Sequence, residues 1–152
     1  MMKDYTQLKE KLYNACLLFV QQKEETVLQT IASNKNDLFS ETKSSAGDKH
    51  ETGRAMLQLE MEKASQQLAI VNQMKETLQR LTIEDSFKNV KLGSLVKTTK
   101  GTYFLAVSVG QVIIDKETYF IVSTESPIGK QLLGKKIGEV IPFNEAQILE
   151  IR

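Results

Sequence analysis

The chain has one cysteine, one histidine, two prolines, no tryptophan and a net charge of only +1 across 152 residues. A single thiol, Cys16, excludes an internal disulfide and fits a reducing compartment. It lies in the apolar run Ala15–Val20, the usual setting of a buried helical cysteine. A nucleophilic thiol would want a histidine beside it. The sole His50 lies far off in a polar stretch, so that role has no support. The same apolar run is too short for a signal-peptide core or a membrane span, so a cytoplasmic protein with no membrane partner is expected. Charge of one sign is also lacking. Residues 1–82 hold 11 basic and 11 acidic side chains, and residues 83–152 hold 9 and 8. Neither half is a basic footprint for duplex nucleic acid, so any such contact would be local or delegated to a partner. With 41% hydrophobic and 26% charged residues, the chain is an ordinary folded protein.

What is present is organised around the polar stretch Ser40–Arg54, SETKSSAGDKHETGR. On one side, Tyr5, Leu8, Leu12, Ala15 and Phe19 recur in steps of three and four. After a phase slip near Gln21–Glu24, Val27, Ile31, Asn34 and Leu38 do the same. On the other side, Leu57, Met61, Ala64, Leu68, Val71, Lys75 flanked by Met74, and Leu78 hold coiled-coil seam positions, with Gln, Glu, Lys and Ser between them. Met at such spacing reads as gap-filling core. Two helices of similar length, roughly residues 4–39 and 51–81, joined by a Ser/Gly-rich connection, fold back as an antiparallel pair. The expectation is an α+β chain: a coiled-coil finger over 1–82 with a tip loop near 40–54, then a second domain over 83–152.

In that second domain, β-branched and aromatic residues take over. Thr102–Val109 alternates, placing Tyr103, Leu105, Val107 and Val109 on one face. Val90–Thr98, Gln111–Ile114, Thr118–Ser123 and Ala146–Ile151 complete a small antiparallel sheet. Ser126 can cap a short helix that has Pro127 in its first position and Gly134 closing it in the left-handed conformation. Gly129 to Lys135 also fits G-x-x-x-x-G-K. Lys136 then stands where Ser or Thr should hold Mg²⁺, and the glycines bracket Leu132-Leu133, so a phosphate loop is not supported.

The candidate site is the pair Asp48 and Glu51. As D-x-x-E before an apolar run, the two make a variant capping box. They are also two hard-oxygen ligands one helical turn apart, too few for Mg²⁺ alone but enough to complete a site that another protein half builds.

Gly47-Asp48-Lys49-His50-Glu51 together with Ser126 to Gly138, SPIGKQLLGKKIG, resembles the bacterial Gre factors, the GreA/GreB family of transcript-cleavage factors. That family has a tip of the form G-D-x-x-E-N-A-E-Y and a C-terminal segment close to S-P-L-G-K-A-L-L-G-K-K-V-G. The opening Val90-Lys91-Leu92-Gly93-Ser94-Leu95-Val96 is similar as well. The resemblance implies an FKBP-like C-terminal domain and a monomer that binds RNA polymerase. It would insert its finger into the secondary channel and reach the RNA 3′ end only through the enzyme. Asp48 and Glu51 would act in trans, catalytic and metal-binding at once, on Mg²⁺ shared with the polymerase and absent from the isolated protein. The chain would be an accessory factor in transcription elongation and not itself an enzyme. Thr52, Gly53, Arg54 and Ala55 depart from the family tip, and Lys49, His50 and Arg54 add positive charge there. A non-cleaving occupant of the same channel is the alternative. An FKBP-like fold also raises prolyl isomerisation. That activity ranks last, because residues 83–152 offer only Tyr103, Tyr119 and Phe87, Phe104, Phe120 and Phe143 for an aromatic pocket.

Overall fold

The computed structural model describes residues 5–43, 47–83 and 87–152, with the backbone alone at 38, 41–43 and 47–52. Two long helices come first, α1 (Thr6–Lys43) and α2 (Gly47–Arg80). They are followed by β1 (Leu95–Thr98), β2 (Gly101–Ala106), β3 (Gly110–Ile114), β4 (Glu117–Ser123), α3 (Pro127–Leu132), β5 (Val140–Ile141) and β6 (Ala146–Ile151). The α+β order is the expected one. Both helices run further into Ser40–Arg54 than its composition suggests, leaving 44–46 between them, outside the described residues. Ser, Thr, Lys and Glu cost only tenths of a kcal/mol each in a helix, about 0.7 at most, and adding a residue to an existing helix is far easier than starting one. The expected break near Thr82–Lys88 falls partly on 84–86, also outside the described residues.

By compactness the chain forms two units, Met1–Phe19 with Glu76–Arg152, and Val20–Lys75. In the first, six strands form one sheet in the order β3-β4-β2-β1-β6-β5. The sheet is mixed, which corrects the antiparallel expectation. β2 and β4 pair in parallel, Tyr103 opposite Phe120 and Leu105 opposite Val122. The cause is the order of the chain. β3 takes the outer edge, and the chain returns through a two-residue turn so that β4 fills the place between β3 and β2. Asp115 and Lys116 both have positive φ, 52° and 69°, the conformation of a tight type I′ hairpin. Hairpin signals along the chain specify antiparallel neighbours only.

β2 is buried on both faces, not one. On one side Val96, Tyr103, Leu105, Ile148 and Ile151 form the core with Phe87, Val90 and Leu132, and the Tyr103 and Phe120 rings lie 5.6 Å apart. On the other side Leu95, Phe104 and Ile121 are laterally paired and fully buried. The start of α1 reaches this second face, through contacts described below. Helix α3 sits as its sequence implies: Ser126 Oγ accepts from the Gly129 N–H at 3.1 Å, Pro127 opens the helix, and Gly134 follows it at φ 79°. Gly129 allows the close seat. A Cβ there would lie 1.9 Å from the Ser123 carbonyl oxygen.

In the second unit α1 and α2 run antiparallel. Glu24 pairs with Lys75, whereas the later residues Val27 and Thr30 share a groove with the earlier Glu60 and Ala64. Val20, Val27 and Asn34 on α1, and Ala64 and Val71 on α2, are buried at seven-residue spacing, the repeat of a coiled-coil seam. These are small side chains, so the seam is thin.

Candidate functional site

Asp48 and Glu51 fall in the first turn of α2, which begins at Gly47. Asp48 is thus inside the helix and is not its N-cap. The two positions are three apart in one continuous helix, a spacing that places them on one helical face beside the reversal of the chain. Acidic residues in a first turn also meet the positive end of the helix dipole. The side chains of Asp48, Lys49, His50 and Glu51 lie outside the described residues. Among the neighbours, Gly53 is half-buried and Arg54 and Ala55 are exposed. Two carboxylates of this type fit a hard divalent cation in chemistry and fall short of it in number, since Mg²⁺ takes six oxygen ligands.

A second polar constellation escaped the sequence reading. The Tyr5 hydroxyl donates to Glu150 Oε2 at 2.8 Å, and the Arg152 guanidinium lies 5.1 Å from the Tyr5 ring centre. The Tyr119 hydroxyl donates to Glu117 Oε2 at 3.0 Å. These residues, with Lys97 and Thr102, line a cavity of about 200 Å³. Burial, reinforced by the Glu150 hydrogen bond, raises the Tyr5 hydroxyl pKa. Burial and the Glu117 carboxylate push Tyr119 up to about 12. Two cations and two carboxylates balance, so the cavity favours neither an anion nor a cation, and its contacts serve to hold α1 on the sheet. The only sequence signal was polar pairs at i, i+2 on strands, Glu117/Tyr119 and Glu150/Arg152, which also describe any solvated sheet face.

Farther along α1, Lys9 is buried with its ammonium 4.9 Å from the Phe87 ring centre, and Lys91 approaches the same ring at 4.1 Å. Cys16 is fully buried, and burial pushes its thiol up to about 12 against the opposing influence of the Val107 backbone. A thiol so placed is neutral at physiological pH and out of reach of solvent, so it is a core residue as expected. Of the aromatic residues that a prolyl-isomerase pocket would need, Phe104 is fully buried, Tyr103 and Phe120 pack together, and Phe143 stands on the surface.

Among the described residues of the helical unit, Val27 and Ala64 floor a groove of about 510 Å³ walled by Thr26, Thr30, Lys63 and Gln67. It opens where small seam residues leave the helices incompletely filled. No helix among the described residues is long and apolar enough to cross a membrane. No protein-family model matches the chain, and no characterised protein matches it at a significant level.

Proposed function

We propose that the protein is a Gre-type accessory factor of RNA polymerase, which places the reversal between α1 and α2 in the enzyme's secondary channel and lends two carboxylates to its active site. The observation that carries the reading is the position of Asp48 and Glu51. Both stand at the start of a 34-residue helix that packs along one of 38 residues. At 1.5 Å per residue these helices are about 50 and 57 Å long, enough to carry a tip deep into a channel. Further support comes from the segment Ser126 to Gly138, whose cap, proline and glycine form α3 and its close seat on β4, and which resembles the FKBP-like domain of that family. This second support is fold-level analogy.

In this mechanism the chain contributes position and charge. Asp48 and Glu51 would hold a Mg²⁺ shared with the polymerase, and that ion would supply activation of water and charge stabilisation for cleavage of the phosphodiester. The globular unit docks at the channel's outer rim, and the hydrolysis belongs to the polymerase. Lys49, His50 and Arg54 favour a second reading, occupation of the channel without cleavage, because positive charge within a few residues of the carboxylates opposes cation capture.

The test is a purified elongation complex stalled in a backtracked state, assayed for Mg²⁺-dependent release of short 3′ RNA fragments. Stimulated release that disappears in the Asp48→Ala/Glu51→Ala variant, while polymerase binding persists, supports cleavage. Binding by the unaltered protein without release supports occupation alone, and absence of binding removes both readings.

A further inference from the structure

The two edges of the sheet are unequal. At one, β5 is two residues long and too short to template another strand. At the other, β3 is five residues, Gly110-Gln111-Val112-Ile113-Ile114, paired with β4 in unbroken register. Edge strands are ordinarily blunted by lysine, proline, a bulge or a covering element. β3 holds no charge, no proline and no bulge, and α1 reaches this hairpin at its turn, where Lys11 pairs with Asp115. Ile113, in the middle of the edge, is 67% exposed, the highest value of any large apolar side chain among the described residues.

The turn fixes which backbone groups of β3 are unused. In a two-residue type I′ hairpin the residues flanking the turn exchange both N–H···O bonds, here Ile114 with Glu117, and bonded pairs recur at every second residue. Val112 with Tyr119 and Gly110 with Ile121 are the next bonded pairs, so Gln111 and Ile113 turn their N–H and C=O groups outward. Among the described residues no backbone group of β3 hydrogen-bonds outside the sheet. This outward set is symmetric about Val112. A second copy laid antiparallel and centred there sets Gln111 against the partner's Ile113, and Ile113 against the partner's Gln111, with roughly four backbone hydrogen bonds. Asp115 then faces the uncharged Val109 of the other copy, whereas a parallel partner would set Asp115 beside Asp115 and Lys116 beside Lys116. The strand is thus complementary to itself in backbone and in charge, and in one direction.

We infer that β3 is a self-pairing edge: two copies of the chain join antiparallel about Val112 and make their sheets continuous. The resemblance noted above implies a monomer, and this inference does not rest on the polymerase reading. One short strand buries well under about 1,200 Å², the range of transient complexes, so the dimer forms at high concentration.

Sedimentation of the full chain at up to about 1 mM tests it. The unaltered chain should pass from monomer toward dimer as concentration rises. Ile113→Lys should weaken association about tenfold or more, and Ile113→Val should keep it. Residue 113 and its counterpart are diagonal neighbours across the axis, about 7–8 Å apart. An equimolar mixture of Ile113→Lys and Ile113→Glu should therefore recover the association that each lacks alone. Thermal unfolding checks that these variants fold. Hydrogen exchange reads the register: the Gln111 and Ile113 amides should gain protection with concentration, while those of Val112 and Ile114, already bonded to β4, stay unchanged. A chain that remains monomeric overturns the inference, as does association that Ile113→Lys leaves intact. So does a mixture without recovery, or a dimer in which the Gln111 and Ile113 amides gain nothing.

Discussion

The same helix is held in two different ways along its length. In the sheet unit, Lys9, Leu12 and Cys16 of α1 are buried and Tyr5, Leu8, Tyr13, Ala15 and Phe19 half-buried, an arc close to half the circumference. There α1 meets the sheet through Tyr5, Lys11 and Cys16, and α2 through the Tyr13 hydroxyl, which donates to the Leu78 carbonyl at 3.1 Å. In the helical unit, full burial among the described residues of α1 shrinks to Val20, Val27 and Asn34. Helix propensity does not distinguish the two halves; the number of partners does. Most helical stability in proteins comes from tertiary packing, so the helical unit should open locally at a lower free energy than the sheet unit.

The strongest way to break this comparison is to cut equivalent cores. Phe104→Ala removes a fully buried ring from the sheet unit and is expected to cost about 3–5 kcal/mol. Val71→Ala, at an equally buried seam position, should cost about 2 kcal/mol. Chemical denaturation measures both. Hydrogen exchange should show amides of β1, β2 and β4 losing protection in the first variant and only helical amides in the second. Equal losses everywhere would mean that the units unfold as one.

Alkali should separate the units next. All four tyrosines and the cysteine lie outside Val20–Lys75. Tyr119 and Cys16 are both pushed up to about 12, and Tyr5 is raised. A pKa raised by folding means that the native state holds the neutral form. The stabilisation is complete below the unfolded pKa, near 8.5–10, and is lost as pH climbs toward 12. The sheet unit should therefore melt at falling temperature between about pH 9 and 12, in step with tyrosinate absorbance. Exchange-corrected protection of the Val20–Lys75 helices should change less. Tyr119→Phe and Cys16→Ser should flatten the decline.

Asn34 sharpens the comparison from the other side. Its amide Nδ2 is buried in the seam without a hydrogen-bond partner, an arrangement that costs about 1–3 kcal/mol. Asn34→Leu should raise the melting temperature of the helical unit. A lone buried asparagine at a seam position fixes register and helix number in coiled coils. The stabilised variant should therefore self-associate more, as sedimentation would show. Stabilisation without association would leave Asn34 as a plain defect.

These differences mark how far the sequence could be read. Most of the α2 seam was legible, with Ala64, Val71 and Leu78 buried and Leu57, Met61 and Leu68 half-buried, because one partner produces one clean stripe; at the Lys75 position Met74 is the half-buried residue and Lys75 is exposed. Early α1 was read correctly at Leu12 and one residue short elsewhere: Lys9, Leu12, Cys16 and Val20 are the buried set, with Leu8, Ala15 and Phe19 at the margin. Two partners widen the buried arc until periodicity no longer shows its centre. The same holds for β2, where contiguous burial of Tyr103 to Val107 hid behind an apparent alternation. The cap and glycines of α3 were legible because they act within a few residues. The parallel β2–β4 pairing and two-residue β5 were not, since long-range register and edge pairing leave little local trace. The change from helix to strand near residue 83 and the division by compactness are different quantities: the first part of α1, to Phe19, and the last of α2, from Glu76, count with the sheet. Asp48 and Glu51 were legible as a motif, and their place in a helical first turn is a backbone fact.

The smallest effect tests whether charge, and not burial, separates the units. Each has an ion pair between distant parts of the chain, Lys11 with Asp115 at 2.8 Å in the sheet unit and Lys75 with Glu24 in the helical one. The side chains of the first pair are 52% and 74% exposed, those of the second 44% and 25%. At such exposure an ion pair contributes about 0.2–1 kcal/mol, because water already solvates both charges and ordering two flexible side chains opposes the attraction. Double-mutant cycles with Lys11→Met/Asp115→Asn and Lys75→Met/Glu24→Gln should both give coupling in that range, falling further in 1 M salt. Asparagine keeps the left-handed conformation at 115 available, so the first cycle reports charge and not turn strain. If the Lys11–Asp115 coupling were several times larger than the Lys75–Glu24 one, the firmer hold on early α1 would have to be credited to electrostatics. Equal and small couplings leave the second face of the sheet, with Leu95, Phe104 and Ile121 beneath the helix, as the cause.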